Sequence, residues 1–424
     1  MVASIPVLSA SPGVLLAILW VSLVVPQVVL TLWFLGIVRH RTRAFVARLP
    51  HREESAGVPA EVILCLRGCD PTLDDVFTAL ANQSHRAWRL RVIVDSVDDP
   101  AWNVAQAAVS RLAATAPSWR GHRVEPLASR PSRGSLKCAS LRQALRSLSP
   151  ETRVVALIDA DSVVHRHWLL TMVDECLRPG VGAVSGNRWY DPVRDTPAAI
   201  VRVLWNAGAI VQMTTFGIPW GGSLAVRREA LDDCRWADVI EGTLCEDTAL
   251  AAPLARSGWK YRFIPALTAI DRDDDVSFGP LTRWIARQLL TARLHHPSWG
   301  MVAIHGIATS IALAAAVVGC VQAGVMGNRP LFATLGGSLL AYEAVNLLLL
   351  FAIARAIRTA TGAVEQRPEP LGRGRALRWA AMIPATQCVY AIAMASAIST
   401  RAIEWRGIIY TIKKKNGSIE VVVG

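Results

Sequence analysis

The sequence predicts a mixed α/β domain, a mostly parallel sheet covered by helices on both faces and held to a membrane by α-helical spans on either side. Three observations carry this. Short apolar runs at Val62–Leu66, Leu90–Val94 and Val154–Ile158 alternate with helical patterns between residues 56 and 298, as strands and crossover helices do in βαβ units. Long uncharged runs lie before and after that region. Of 424 residues, 52% are hydrophobic and 18% charged, with a mean hydropathy of +0.33; soluble domains carry about 25% charged residues. These figures also exclude a disordered, collagenous or coiled-coil chain.

The first run, Gly13 to Val38, has no charge and exceeds the ~20 residues that span a bilayer core. It lacks the basic n-region and short apolar core of a secretory signal. Arg39, Arg41, Arg43, Arg48 and Arg52 follow it, so the positive-inside rule puts the residues after 38 in the cytoplasm. Residues 1–55 are expected to form an anchor with a basic linker, and 300–424 further membrane helices and a tail. Within the latter, 300–327 and 379–400 carry no charge, and 331–354 carries only Glu343, one turn before Asn346. Glu343 is either functional or a hydrogen bond within the bundle. A crossing at 379–400 would leave Arg401, Arg406 and Lys413–Lys415 outside, against the rule; the alternative is re-entry. Residues 198–218 read apolar but contain Arg202 and Asn206, which suits a buried or interfacial helix better than a span.

Lys and Arg number 45 against 33 Asp and Glu, a net charge of +12. The excess clusters beside apolar runs, where anionic lipid headgroups are its natural neighbours, and no aromatic-interleaved basic motif argues for nucleic acid. The eight cysteines form neither CxxC nor a zinc spacing, so reduced thiols in a cytoplasmic domain are expected.

Within the α/β region, the strand ending at Leu66 runs into Arg67-Gly68-Cys69-Asp70-Pro71, and a helix over 73–82 buries Leu73, Val76, Phe77 and Leu80. The strand 90–94 ends at Asp95, helices are expected over 100–115 and 140–148, and the strand 154–158 ends at Asp159-Ala160-Asp161. Ligands of such sheets bind beyond the strands' carboxyl ends, where these three aspartates fall. Asp-x-Asp suits Mg²⁺ or Mn²⁺, whose shell is completed by diphosphate oxygens and whose charge eases departure of a diphosphate. Aspartate pairs are common on surfaces, so the motif alone decides little.

The segments LRGCDPTL (66–73), VIVDSVDDPA (92–101), Lys137, LIDADS (157–162), WGGSLAVRREAL (220–231), CED (245–247), RW (283–284) and WRGIIYTI (405–412) follow one another in a telling order. Over about 60–299, and more loosely in its membrane frame, the chain resembles the inverting family 2-type glycosyltransferases of GT-A fold, most of all their ceramide-glucosyltransferase branch. The resemblance implies a GT-A domain, a Rossmann-like mixed sheet, over 56–299, closing in an interfacial helix. Leu66, Arg67 and Gly68 would line the nucleotide base, and Asp95 would bind the uracil or ribose of a UDP-sugar. Asp159 would contact the nucleotide and Asp161 would be the main ligand of a Mg or Mn cation. Lys137, Arg283 and Trp284 would hold diphosphate, with Gly221, Gly222, Ser223 and Glu246 on the acceptor side. Asp247 would be the general base. The chain departs from the family's (Q/R)xxRW motif in having Pro280 at its first position, so a polar contact is missing or passes to Arg287 or Gln288.

Blander readings compete. Asp95 and Asp247 could cap helices, Gly221-Gly222 could be only a turn, and Arg283-Trp284 an interfacial belt pair. His295-His296 suits a membrane interface better than a metal. The run Asp271–Asp275 lacks the glycine of a calcium loop and reads as solvated, as does the Arg-rich stretch 355–378 at the headgroups. The activity expected is transfer of a hexose from UDP to a ceramide-like or other long-chain lipid hydroxyl at the cytoplasmic face, in a bacterial inner membrane on its Ala/Arg-rich composition. A processive polysaccharide synthase needs a channel for its polymer, for which three or four spans are few unless oligomers supply it. An inactive scaffold sits poorly with the presence of Asp95, Asp159, Asp161 and Asp247.

Overall fold

A computed structural model describes residues 12–115, 119–415 and 418–423. Its central sheet contains β1 (Ala60–Leu66), β2 (Trp88–Val94), β3 (Trp119–Pro126), β4 (Val154–Ile158), β5 (Val181–Ser185), β7 (Ser223–Arg227) and β8 (Lys260–Phe263), ordered β3-β2-β1-β4-β7-β5-β8. The pairs β1–β2, β1–β4, β2–β3 and β5–β8 are parallel, whereas β7 runs antiparallel to β4 and β5. That inversion matters for the site. Ser223 at the start of β7 pairs with Ile158 at the end of β4, so the loop before β7 meets the carboxyl ends of the parallel strands. A short parallel pair, β6 (Arg188–Tyr190) and β9 (Ala269–Asp271), lies beside the same edge.

Alternation along β1 sends Val62, Leu64 and Leu66 into one core and Ile63 into the other, as the two-residue strand period requires. The helix expected at 140 starts at Leu136, because Ser135 caps it by accepting the Cys138 N–H. All eight cysteines are free.

Among the described residues, three segments, Ser22–Ser55, Trp299–Val325 and Arg329–Gly362, are long and apolar enough to cross a membrane. The fourth run is a pair, Arg373–Ala381 and Ile383–Ser399, bent by 44°. Arg375 lies 3.2 Å from Asp191 and 2.9 Å from Asp195, and Arg378 is 2.6 Å from Asp195. At the other end, Arg293 of the helix Phe278–His295 donates to the carbonyls of Ala397 (2.5 Å) and Thr400 (2.9 Å), filling acceptors that a helix end leaves open. Both ends are therefore tied to the α/β unit and its helix Phe278–His295. The strands β10 (Ala402–Trp405), β11 (Ile408–Lys415) and β12 (Ser418–Val423) then form an antiparallel sheet. Ile408, Tyr410 and Val421 pack it on Leu136, Leu244 and Leu290.

Two segments read as solvated are only partly so. Arg375 and Arg378 of the Arg-rich stretch are bound as above. Asp271, Asp273 and Asp274 pair with Arg188 (3.2 Å), Arg202 (2.9 Å) and Arg194 (2.9 Å). Arg202 lies buried in the helix Pro197–Phe216, so the acidic run clasps that helix.

Candidate active site

Strand order brings residues 66–67, 95, 159–161, 187–188 and 220 to one cleft of about 280 Å³. Asp95 follows β2 and is 6% exposed. Its Oδ2 accepts from Arg67 and, at 2.8 Å, from Arg130, while its Oδ1 is buried without a hydrogen-bond partner. A buried acceptor left open is costly, and Asp95 keeps one free for a further donor. Leu66 and Arg67 line the cleft. Gly68, at φ 70°, instead gives its N–H to the Asp99 carboxylate at 3.0 Å, which fixes the loop from behind.

Asp159 and Asp161 follow β4. Lys137 lies 2.6 Å from Asp159 Oδ1 and 2.7 Å from Glu246 Oε1. Burial alone would lower its pKa, but Asp159 and Glu246 outweigh burial and hold it well above the ordinary lysine value. Arg188 bonds Asp161 through both terminal nitrogens, at 2.6 and 3.0 Å. Burial would raise the Asp161 carboxyl, yet Arg188 holds it down at about 2. A pair of carboxylate ligands fits a hard divalent cation. Among the described residues no group of three or more His, Cys, Asp or Glu could hold a metal alone. Asp161 and Asp159 would thus be its protein ligands, with diphosphate oxygens completing the shell.

Asp247 is gripped by donors rather than by cations. Its Oδ2 accepts the Gly221 N–H at 2.7 Å, and its Oδ1 accepts the Thr248 N–H and, at 3.0 Å, the Cys245 thiol. Burial, with Asp247 and Glu246 nearby, pushes the Cys245 thiol well above its ordinary pKa, so it remains a donor. The regular helix begins only at Ala251, so Asp247 does not cap one at Thr248.

Gly221 and Gly222 admit no side chain. A Cβ on Gly221 would lie 2.4 Å from Glu246 Oε1, and one on Gly222 would lie 2.3 Å from the Trp220 ring and 2.8 Å from Asp159 Oδ2. That tightness lets the Gly221 N–H come within hydrogen-bond reach of Asp247. Ser223 and Glu246 do not face an acceptor. Ser223 is fully buried, its hydroxyl bonded to Trp168 Nε1 at 2.9 Å and the Leu267 carbonyl at 3.2 Å. Glu246 is also fully buried, behind Lys137. Of the pair near the second membrane run, Trp284 lines the cleft and meets Trp205 edge-on, with centroids 5.3 Å apart. Arg283 is exposed and outside the lining, whereas Arg287 and Gln288 are inside it.

A second cavity, of about 250 Å³, lies between the apolar helices, and its wall includes Gln27, Leu30, His305, Asn346, Leu350 and Gln387. It shares Trp205, Trp220, Cys245, Asp247 and Gln288 with the cleft. Asp247 therefore stands where a polar cleft meets an apolar chamber. Glu343 lines neither. Sequence reasoning missed Arg188, whose three-residue strand leaves no periodic signal, and gave no role to Trp405, Arg406 and Tyr410, which line the cleft.

Among solved structures, the chain is similar to the mannosyltransferase PcManGT of Pyrobaculum calidifontis in complex with GDP-Man and Mn²⁺, at 17% identity over 88% of this chain and 99% of that one, TM-score 0.44. It is also similar to glucosyl-3-phosphoglycerate synthase of Mycobacterium tuberculosis in complex with Mn²⁺ and UDP-glucose, at 17% identity over 59% of this chain and 84% of that one, TM-score 0.37. No curated protein matches the sequence. The architecture is a mixed α/β sheet joined to apolar helices long enough to cross a membrane. Residues 23–418 match the family described as Glycosyl transferase family 21, and the chain belongs to that family.

Proposed function

We propose that this chain is a membrane-bound inverting hexosyltransferase that moves a sugar from UDP to the hydroxyl of a ceramide-like or other long-chain lipid, on the cytoplasmic face of a bacterial inner membrane. The observation that carries this reading is the position of Asp247 in the wall shared by the two cavities. The donor enters the polar cleft from water. The lipid lies in the apolar chamber between the spans, its hydroxyl reaching Asp247.

In the reaction, Asp247 takes the proton of the acceptor hydroxyl as its oxygen attacks the anomeric carbon. The bond from that carbon to the diphosphate oxygen breaks on the opposite face, so the configuration inverts and UDP leaves. General-base help of this kind contributes about 10²–10⁴ in rate. The Gly221 and Thr248 N–H groups hold the carboxylate in place throughout. Asp95, with its open Oδ1, binds the nucleoside end. Lys137 and Arg188 keep the Asp159 and Asp161 carboxylates positioned. A divalent cation, when bound at Asp161 and Asp159, would neutralise the charge gathering on the departing diphosphate.

The test uses membranes containing the wild type or Asp247→Asn, a panel of radiolabelled UDP-hexoses, and Mg²⁺ or Mn²⁺. Products are partitioned into lipid, insoluble polymer and free sugar. Label in lipid with the wild type alone supports the reading and identifies the sugar. Label in polymer favours a processive synthase, and no label in any fraction with any donor favours a scaffold.

A further inference from the structure

One cation of the polar cleft has no counter-ion. Arg67, Lys137 and Arg188 each face a carboxylate. Arg287 makes no ion pair or hydrogen bond among the described residues, and its close partner is the Trp405 ring, whose centroid lies 4.9 Å from the guanidinium carbon. Burial lowers its pKa, and the more distant Asp159 and Asp161 only partly offset that penalty for keeping a cation from water. A cation so placed on a cleft wall calls for an anion.

A second arginine reaches the cleft from the C-terminal sheet. Trp405 pairs with Ile408, so Arg406-Gly407 is a two-residue turn, and both residues are left-handed, at φ 52° and 74°. Such turns favour Asn-Gly. An arginine there adopts a conformation that its Cβ resists, a broken local rule of the kind found at functional sites. Its guanidinium lines the cleft 3.2 Å from Asp70 and 3.4 Å from the Arg67 carbonyl, while Arg67 Nε donates to the Arg406 carbonyl at 2.8 Å. The sheet is docked firmly: the Tyr410 hydroxyl accepts the Leu136 N–H at 3.3 Å, and the Gly134 N–H reaches the Val421 carbonyl at 2.7 Å.

We propose that Arg287 and Arg406 clamp the diphosphate of the sugar nucleotide, so that the C-terminal hairpin forms part of the donor site. This rests on the donor reading above. The planar fork of each guanidinium matches phosphate oxygens in pairs, Trp405 orients Arg287, and the diphosphate role that the resemblance gives to the exposed Arg283 passes to Arg287 one turn on.

The experiment measures binding of UDP, GDP and uridine to the detergent-solubilised full chain by calorimetry with Mn²⁺ present. Arg287→Ala and Arg406→Ala should each weaken UDP by roughly 10- to 100-fold while leaving uridine, which has no phosphate, as in the wild type. Arg406→Asn installs the favoured turn pair, so it should weaken UDP while its melting temperature holds or rises. That combination separates binding from folding. Unchanged UDP affinity in either alanine variant overturns the clamp. So does joint loss of UDP and uridine with a lower melting temperature, or a loss confined to Arg283→Ala. A wild type that binds neither UDP nor GDP overturns the donor reading itself, and the clamp with it.

Discussion

In the polar cleft Asp95 is answered by Arg67 and Arg130, Asp159 by Lys137, and Asp161 by Arg188, whereas the apolar chamber leaves its polar atoms open. Gln27 Oε1, Gln387 Oε1 and both ring nitrogens of His305 are buried there without hydrogen-bond partners. The contrast teaches what each space expects. Except for Arg287, the charges of these pairs are neutralised in advance, and an anionic ligand with its cation need only exchange partners with them. The chamber offers carbonyl oxygens with nothing to accept from, which suits a mostly apolar molecule whose head carries hydroxyl or N–H donors. Asp247 belongs to neither pattern: it is held by neutral donors, so it is fixed without being neutralised.

The largest expected effect breaks that seam. Asp247→Asn keeps the shape and one carbonyl oxygen for the Gly221 N–H but cannot take a proton. Transfer should fall by about 10²–10⁴, with UDP affinity within about threefold of the wild type. Rates and calorimetry on the same preparation check both. A comparable fall in UDP binding would make Asp247 a donor ligand and erase the distinction between the two spaces.

Much of the cleft is legible because a strand's apolar run ends where its functional residue begins: Leu66 ends β1, and Asp95 and Asp159 directly follow β2 and β4. What was not legible depends on strand order. Arg188 reaches Asp161 only because β6 lies beside the edge where β4 ends, and no local pattern encodes that. Asp271–Asp275 read as solvated because its counter-ions come from residues 188, 194 and 202, far away in sequence. Ser223 was placed with its glycine neighbours, but β7 begins there and turns its side chain inward to Trp168. The chamber, assembled from helices more than three hundred residues apart, left no signal beyond hydropathy.

The seam should also respond to pH. His295 Nε2 accepts the Leu244 N–H at 3.1 Å, steadying the loop that carries Asp247, and burial pushes its pKa down from 6.5 to about 4. The folded protein holds this histidine neutral while the unfolded chain protonates it first. Its stabilising share is therefore complete above pH ~6.5 and is lost as pH falls towards ~4, by up to about 3 kcal/mol. His295→Gln keeps an acceptor for the Leu244 N–H and cannot titrate. Thermal unfolding between pH 7 and 4.5 should decline less steeply in that variant than in the wild type; parallel declines would remove His295 from the loop's support.

The smallest effect tests the chamber. The Tyr342 hydroxyl accepts from Gln27 Nε2 and from Gln387 Nε2, each at 3.2 Å. One buried hydroxyl thus ties two helices together and aims both amide oxygens into the cavity. Tyr342→Phe removes that shared acceptor while keeping the ring that packs there. If the amides read the head of the lipid, KM for the lipid should rise about 2- to 10-fold, the worth of one or two neutral hydrogen bonds, with kcat and UDP affinity unchanged. A merely structural role would instead lower the melting temperature and disturb all three quantities together. Because Tyr342 lines neither cavity itself, a change confined to lipid KM reaches the substrate through the chamber-lining amides that bond it, Gln27, Gln387 and Asn346, and this makes so modest an effect diagnostic of where the acceptor's head lies.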